Sequence, residues 1–259
     1  MRTLGFIGTG NMGAALAAAA AKNGDNELLL SNRSREKAAA LQARIGGRVT
    51  DNPGAAEADF IFLGVKPQML PEVTPELREV LKQRKEPFTV VSMAAVTSIA
   101  RIKELLGDDV PVIRIMPNTP VSVGEGVILY ACSGEVTAET EESFLAAMSA
   151  SGCFLKVEER LIDAGACISG CGPAFVDLFI EAMADGGVAC GLPRSLALEL
   201  AAATVSGSAK LMLETGKHPA QLKDEVCSPG GTTILGVRAL EKGGLRSAVM
   251  EAVIAAYKR

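Results

Sequence analysis

Residues 4–16, LGFIGTGNMGAAL, decide the fold of this chain. The stretch begins as an apolar run, passes through three glycines spaced G-x-G-x-x-G (Gly8, Gly10 and Gly13), and ends in an alanine-rich helical segment. The first glycine permits a tight turn, the second lets backbone approach a pyrophosphate, and the third lets helix pack on strand. Strand, turn and helix in this order predict a dinucleotide site, with a purely structural glycine turn as the alternative.

Outward from this motif, short apolar runs alternate with amphipathic segments as far as residue 157. The amphipathic segments, such as SREKAAALQARI and SIARIKELLG, have helical spacing and polar faces. The apolar runs are bounded by Gly, Pro, Asn or charges, as buried strands are; they are TLGFIG, ELLLS, DFIFLGV, PFTVVSM, VPVIRIM, GVILYA and CFLKV. This alternation predicts an α/β fold of the Rossmann type, doubly wound around a largely parallel sheet.

After residue 157 the strand signals stop, so we predict two domains, a dinucleotide-binding domain at 1–157 and an all-helical domain at 158–259. Residues 159–193 read as a long buried helix, bent near Gly170 to Pro173 and ending at Gly186-Gly187. The later segment LELAAATVSGSAKLML is apolar on more than one face. We interpret that segment as a subunit interface, because about 100 residues make a small core; burial in a large monomer is the alternative.

Charge and composition narrow the range of partners. The chain has 26 Lys and Arg against 30 Asp and Glu, a net charge of −4, and no basic run that would follow a phosphate backbone. Nucleic acid is therefore not expected as a partner. The first 21 residues are mostly apolar, but glycines and Asn11 interrupt them at the centre. We expect neither a signal peptide nor a membrane segment, and a cytoplasmic location.

Metal chemistry is not indicated by the sequence. The six cysteines include no Cys-x-x-Cys pair, and His218 is the single histidine. Cys167 and Cys171 would lie one helical turn apart, but two thiols form only half of a metal site. Reduced thiols in the cytoplasm are the simpler interpretation.

The end of the second predicted strand indicates which dinucleotide is bound. NAD-dependent enzymes usually place Asp or Glu there to bind the ribose hydroxyls, whereas this chain has Ser31, Asn32, Arg33 and Ser34. A guanidinium and hydroxyls suit a 2′-phosphate, which a carboxylate would repel. We therefore predict NADP(H) as the preferred cofactor, with NAD(H) as a second possibility. The alternative is that Arg33 and Arg35 are solvated loop charges.

A second unusual stretch, DEVCSPGGTTILGV at 224–237, precedes a predicted helix. It is rich in glycine and hydroxyl groups and holds no histidine or lysine. Because a helix start leaves about four N–H groups without partners, such a stretch is either a plain cap or a cradle for an anion. Caps are commoner, so the choice depends on what the rest of the chain binds.

Taken together, the motifs resemble the pyrroline-5-carboxylate reductase family over nearly the whole chain. The most specific are LKDEVCSPGGTT and the downstream EKGGLRS. The others that match in order are GFIGTGNMG, FLGVKPQ (62–68), RIMPNTPVSVGEG (114–126), SGCGPAF (169–175), ADGGVACGLPR (184–194) and ALEKGGLRSAVMEAV (239–253). The resemblance implies NAD(P)H-dependent reduction of 1-pyrroline-5-carboxylate to L-proline, the last step of proline synthesis.

The resemblance also implies which residues contact the ligands. The implied cofactor contacts are the glycine loop (Gly8, Thr9, Gly10, Asn11, Met12 and Gly13), the end of the second strand (Ser31, Asn32 and Arg33), the segment Val65, Lys66 and Pro67, and, further along, Asn52 and Ala95. The implied substrate contacts are Glu159, Thr232 and Thr233. We expect a homodimer, or a higher oligomer built from dimers, with each active site where two subunits meet.

This substrate gives the 224–237 stretch a chemical purpose. Gly230, Gly231 and Thr232 can direct N–H groups at the substrate carboxylate, because glycine permits close approach. Thr233 can hydrogen-bond the ring nitrogen of the imine, as the candidate catalytic residue. No strong general acid is then required, since an electron-poor C=N bond in the correct position accepts hydride readily.

Two other functions compete with this interpretation. A β-hydroxyacid dehydrogenase shares the opening motif but uses a lysine on its long helix, and this chain has no lysine between Lys156 and Lys210. A nucleotide-sensing protein without turnover would not need an intact SPGGTT. NADPH consumption distinguishes both from the reductase.

Overall fold

The computed structural model describes residues 1–258, and the chain divides into two compact units, Met1–Gly170 and Cys171–Arg259. The first unit holds one eight-stranded sheet in the order β3-β2-β1-β4-β5-β6-β7-β8. Its strands are β1 Arg2–Ile7, β2 Asn26–Ser31, β3 Arg48–Val49, β4 Phe60–Leu63, β5 Thr89–Ser92, β6 Val112–Met116, β7 Gly126–Cys132 and β8 Gly152–Lys156. The doubly wound fold is confirmed.

All neighbouring strands are parallel except β6 and β7, which pair antiparallel with Arg114 opposite Ala131. A short connection over Thr119–Val123 joins them, too short for a helical crossover. The connection from β7 through a helix to β8 then restores parallel pairing. The sheet is therefore largely parallel, as predicted.

Helices cover both faces of this sheet. They are α1 Asn11–Ala21, α2 Arg35–Ile45, α3 Asn52–Ala55, α4 Leu70–Gln83, α5 Ile99–Leu106, α6 Ala138–Ala147 and α7 Ile162–Ser169. Two apolar clusters result, because successive residues of a strand point to opposite faces. Phe6 and Phe62 stack at 4.4 Å between ring centroids in one cluster, and Ile7 and Leu63 belong to the other.

The division between the units falls later than the predicted boundary at residue 157. Strand β8 does end at Lys156, but α7 still packs on the sheet. Ile162 is fully buried in the second apolar cluster, and a side chain at Gly165 would press on Leu129. The first compact unit therefore includes one helix that the sequence pattern assigned to the second domain.

The second unit is entirely helical in the part of the chain that the structure describes. It contains α8 Gly172–Ala189, α9 Arg194–Thr215, α10 Pro219–Val226, α11 Thr232–Lys242 and α12 Leu245–Tyr257. Its buried cluster is small: Ala184, Ala197 and Ala201, with Ile180 and Val188 partly buried against them. These alanines let α8 and α9 approach each other closely.

The prediction of one long buried helix over 159–193 is wrong about where the helix ends and about its burial. The interruption between α7 and α8 lies at Gly170 and Cys171, within the predicted bend. Helix α8 runs through the Gly186-Gly187 pair to Ala189. It ends there because Gly191 turns with φ +96° and Leu192 N–H bonds back to Gly187. Within the single chain α8 is also mostly exposed; Leu178 and Phe179 are 67% and 37% exposed.

Two helical stretches, Glu159–Ala189 and Arg194–Thr215, are long and apolar enough to cross a membrane by length and composition. Only 6% and 11% of their most apolar windows are buried within this chain. Length and composition are weak grounds for a membrane span, because interface and core helices share both properties. Most of the apolar surface of these helices is therefore uncovered within this chain.

Candidate functional site

The glycine loop after β1 has the geometry of a phosphate-binding turn. Gly8 has φ +94°, and a side chain there would lie 2.8 Å from the carbonyl carbon of Gly64. A side chain at Gly13 would collide with the Gly8 carbonyl oxygen, so Gly13 lets α1 pack on the turn. At Gly10 a side chain would meet nothing within 4 Å. Gly10 thus borders open space where backbone can approach a ligand.

The start of α1 is chemically ready for an anion. Gly10 is its N-cap residue, no side chain caps the helix, and Asn11 is its first residue. The hydroxyl of Thr9 is buried and has no hydrogen-bond partner among the described residues. Free N–H groups at a helix start, together with an unpartnered hydroxyl, fit the pyrophosphate of a dinucleotide. Met12, by contrast, packs against the apolar core.

A cavity of about 970 Å³ opens beside this loop at the carboxyl edge of the sheet. Eight of the predicted cofactor residues line it: Gly8, Gly10, Ser31, Asn32, Arg33, Asn52, Val65 and Lys66. It lies where the strand order reverses between β1 and β4, the usual position for a dinucleotide in this fold. The cavity and its lining therefore fit NADP(H).

Polar groups at the end of β2 are arranged by hydrogen bonds. The Ser31 hydroxyl donates to Asn52 Oδ1 over 2.7 Å, and Ser31 is 3% exposed. This bond uses the acceptor oxygen of Asn52, so its amide NH₂ remains as a donor at the cavity wall. Arg33 and Arg35 are exposed in the same lining. Two guanidinium groups beside amide donors suit a phosphate rather than bare ribose hydroxyls.

Besides Met12 and Gly13, four of the predicted cofactor residues do not line this cavity. Thr9 and Asn11 belong to the loop and helix start, and Pro67 begins a short 3-10 turn after Lys66. Ala95 is exposed in the segment after β5. The cavity is also lined by residues that the sequence analysis did not select: Ile7, Arg35, Val49, Thr50, Asp51, Pro53, Gly64, Gln68, Met69, Glu72, Val73 and Glu76. Of these, Arg35 carried a signal, since it lies two residues after Arg33.

Glu159 is engaged within the first unit. Its Oε1 accepts a hydrogen bond from the Ile99 backbone N–H over 2.6 Å and lies 3.4 Å from Nη1 of Arg114. Arg114 Nη2 also pairs with Asp163 at 2.5 Å. The Arg114 side chain is only 4% exposed, so its charge depends on these carboxylates. The sequence analysis missed Arg114, because a charged residue inside an apolar strand gives no periodic signal.

The Ser228–Thr233 loop leads into α11 without a side-chain cap. Gly230 has φ +70°, and a side chain at Gly231 would collide with the Ser228 hydroxyl. Gly231 is the N-cap residue, with no side-chain hydrogen bond to the helix and no acidic residue in its first turn. Thr232 and Thr233 are exposed. Uncapped N–H groups, small residues and hydroxyls together make this helix start suited to a carboxylate.

The basic and imidazole groups near this loop have structural partners. His218 Nδ1 accepts from the Ala220 N–H and caps α10. Lys223 donates a hydrogen bond to Asp224, and this bond raises the pKa of Lys223. Glu225 pairs with Lys217 at 2.7 Å. Among residues 1–258, no group of three or more His, Cys, Asp or Glu side chains is placed to hold a metal ion.

Comparison with known families matches both parts of the chain. Residues 159–259 match the profile described as pyrroline-5-carboxylate reductase dimerisation. Residues 3–96 match the profile described as NADP oxidoreductase, coenzyme F420-dependent. The first profile covers the helical segments and the Ser228–Thr233 loop, and the second covers the glycine loop and the whole cavity lining.

Individual proteins match over nearly their whole length. A pyrroline-5-carboxylate reductase of Glycine max is 43% identical over 265 residues, covering 99% of this chain and 94% of the relative. The crystal structure of Plasmodium falciparum pyrroline carboxylate reductase with NADP bound superposes with a TM-score of 0.87 at 31% identity, covering 99% and 96% of the two chains. A pyrroline-5-carboxylate reductase structure from Coxiella burnetii has a TM-score of 0.89 at 34% identity, with the same coverage.

Proposed function

The chain belongs to the pyrroline-5-carboxylate reductase family, and from that premise we propose that it reduces 1-pyrroline-5-carboxylate to L-proline with NADPH. The reaction is a hydride transfer to a cyclic C=N bond, so the protein is an oxidoreductase of proline biosynthesis. NADP(H) is the preferred cofactor. The observation that carries the proposal is the uncapped start of α11 behind Gly230, in a chain that also holds a dinucleotide cavity.

The cofactor residues divide by the part of NADPH that they would hold. Bound NADPH supplies the hydride. The N–H groups at the start of α1 and the Thr9 hydroxyl would hold the pyrophosphate, and Arg33 with Asn32 would hold the 2′-phosphate. Val65, Lys66 and Pro67 lie across the switch point, beside the other half of the dinucleotide.

The substrate residues act by position and not by strong acid–base chemistry. Free N–H groups at the α11 start, that of Thr232 first, would donate hydrogen bonds to the substrate carboxylate, while the Gly231 N–H is held by the Ser228 carbonyl. The Thr233 hydroxyl donates to the imine nitrogen, where electron density accumulates as hydride adds to the carbon. Water supplies the proton that ends on that nitrogen. Glu159, the remaining implied substrate residue, has its carboxylate fixed by the Ile99 N–H and by Arg114.

The helical unit supports assembly into at least a dimer. Its exposed apolar side chains exceed what a unit with a three-alanine core can leave in water. We propose a homodimer, with higher oligomers built from it, in which each active site lies where two subunits meet. This arrangement covers the apolar helices without a membrane, and we place the enzyme in the cytoplasm.

The test is NADPH oxidation by the purified protein, followed at 340 nm, with a panel of cyclic imino acids and 3-hydroxy acids. We expect 1-pyrroline-5-carboxylate to drive rapid oxidation, with L-proline as the product by chromatography. The 3-hydroxy acids should not drive reduction of NADP⁺. Comparable turnover of a hydroxy acid would favour the dehydrogenase, and cofactor binding without any turnover would favour the nucleotide-sensing alternative.

A further inference from the structure

Helix α10 leads directly into the Ser228–Thr233 loop and has no buried side chain to anchor it. It has eight residues, Pro219–Val226, and none of them is buried. A helix this short is marginal in water, because nucleation is unfavourable and few hydrogen bonds follow it. The order of α10 therefore depends on contacts at its two ends.

The start of α10 is capped by the single histidine of the chain. His218 is the N-cap residue, and its Nδ1 atom accepts from the Ala220 N–H over 3.2 Å. Pro219 follows at the first helical position, where a missing N–H costs nothing. An imidazole is an unusual cap, since Ser, Thr, Asp and Asn are the preferred residues. The bond requires a lone pair on Nδ1, so the ring proton lies on Nε2.

The residue before the cap contacts the other end of the helix. Lys217 Nζ lies 2.7 Å from Glu225 Oε1, in the last turn of α10. Both side chains of this pair are about half exposed. An exposed ion pair contributes less to stability than a helix cap does on average. His218 is therefore the main support of α10, and Lys217 is a weaker one.

The loop that follows α10 has only local hydrogen bonds. The Cys227 N–H bonds back to the Asp224 carbonyl at the end of the helix, and the Gly231 N–H bonds to the Ser228 carbonyl within the loop. Among residues 1–258, no hydrogen bond joins residues 227–231 to an element other than α10 and α11. The position of the loop therefore follows from the helices on its two sides.

We propose that His218 is a positioning residue for the substrate loop: its Nδ1 lone pair caps α10, and the capped helix holds Ser228–Thr233 in the geometry that receives the substrate carboxylate. The inference rests on the proposed function for the identity of the substrate. It gives His218 no contact with the substrate and no proton transfer.

The first test is steady-state kinetics with NADPH and 1-pyrroline-5-carboxylate. His218→Ala should raise the KM for the imino acid about threefold to tenfold, because a fraction of the protein then lacks an ordered loop. Its kcat should stay within about twofold of wild type, since bound substrate restores the ordered state. NADP⁺ binding, measured by calorimetry, should not change, because the cofactor cavity lies in the first unit. His218→Asn should restore the KM, since an amide oxygen is a good cap.

Two further variants serve as comparisons. Thr137 caps α6 in the first unit by accepting from the Thr140 N–H over 3.2 Å. Thr137→Ala removes a cap of the same kind and should change neither the KM nor NADP⁺ binding. Lys217→Met should raise the KM less than His218→Ala does, by under about twofold, because it removes only an exposed ion pair.

Hydrogen exchange on the ligand-free protein tests the cap without turnover. Amides of residues 219–227 should exchange faster in His218→Ala than in wild type, and His218→Asn should restore the wild-type rate. In Thr137→Ala the faster exchange should be confined to α6.

An unchanged KM in His218→Ala would overturn the positioning role. So would a His218→Asn variant that behaves like His218→Ala, or a loss of kcat at constant KM, because the imidazole would then act on the substrate itself. If wild-type protein turns over no imino acid, the proposed function fails. In that case unchanged exchange of residues 219–227 in His218→Ala would separately overturn the role of His218, and faster exchange would support it.

Discussion

Arg33, after β2, is the residue that we expect to contribute most to selectivity between the two nicotinamide dinucleotides. Arg33 is exposed in the cavity lining, where a carboxylate would bind ribose hydroxyls instead. Arg33→Asp should weaken NADPH binding much more than NADH binding. The lost charge-assisted bond costs roughly 1.5–3 kcal/mol, about tenfold to a hundredfold, and the new carboxylate adds repulsion.

The measurement is the dissociation constant of each reduced cofactor, with Arg44→Asp as the control. Arg44 is exposed in the last turn of α2, outside the cavity lining, and its substitution changes net charge equally. If the Arg33 variant weakens NADPH and NADH alike, Arg33 is only a surface charge.

Thr233 is the proposed catalytic residue. If its hydroxyl donates to the imine nitrogen, the bond strengthens in the transition state. Thr233→Ala should then lower kcat and kcat/KM together, by roughly tenfold to a hundredfold, and Thr233→Ser should keep most activity. A lost nucleophile would cost far more.

A helix-cap role for Thr233 makes a different prediction, because loss of a cap costs about 1 kcal/mol of stability and leaves turnover alone. Melting temperature and kinetics on the same alanine variant separate the two roles. A lower melting temperature with unchanged kcat would remove Thr233 from the mechanism. Thr215→Ala, at the C-terminal end of α9, is the matched control for a threonine away from this loop.

At the residue scale, the sequence predicted groups whose chemistry is local and missed groups whose partners are distant. Arg33 follows a strand end and a glycine motif, so spacing alone selects it. Arg114 has no such marker, because the two carboxylates that it pairs with, Glu159 and Asp163, lie 45 and 49 residues away in sequence. The positive φ of Val96 is a backbone property that the identity of the residue does not predict.

In the turn between β1 and α1, Gly10 and Gly13 lack a side chain for different reasons. A side chain at Gly13 would collide with the Gly8 carbonyl oxygen, whereas one at Gly10 would enter open space. Gly10 also has an extended backbone, with φ −72° and ψ −168°, which alanine adopts without strain. The two substitutions should therefore fail for different reasons.

Gly10→Ala should leave the melting temperature of the ligand-free protein within about 2 °C of wild type, since no contact is disturbed. It should nevertheless weaken NADPH binding at least tenfold, because the methyl group occupies the approach of the pyrophosphate. Gly13→Ala should lower the melting temperature. Thermal unfolding with and without NADPH measures both; unaltered NADPH binding in Gly10→Ala would show that the ligand does not approach there.

At the scale of elements, segments with a strong local pattern were predicted correctly. Very short elements, and a helix end that depends on one backbone angle, were not. All seven predicted strand segments are strands, and six of them have a run of buried residues; β8 is the exception, because its side chains are exposed or only partly buried. Strand β3 has two residues and α3 has four, too few for any periodicity. The end of α8 was misplaced because glycine is tolerated inside a helix, and the stop depends on the backbone angle of Gly191.

The whole molecule is divided unevenly between a unit with a complete core and one without. The first unit buries large residues on both faces of its sheet, including Phe6, Phe62 and Phe144. The second buries three alanines and leaves Leu178, 67% exposed, and Leu213, 78% exposed, on its surface. The sequence predicted these apolar faces but could not show what covers them, since no segment of the same chain packs over them.

Assembly should therefore be required for both stability and activity. Wild-type protein at micromolar concentration should show by light scattering at least twice the 26.8 kDa chain mass. A double variant, Leu178→Glu with Leu213→Glu, should be monomeric, because an unpaired carboxylate buried in an interface costs about 3 kcal/mol or more. If each active site needs two subunits, this monomer should also lose turnover while keeping NADP⁺ binding, since the cofactor cavity lies wholly in the first unit. Val123→Glu, an equally exposed valine of the first unit, controls for added charge and should leave mass and activity unchanged. A wild-type monomer with full activity would contradict the shared site.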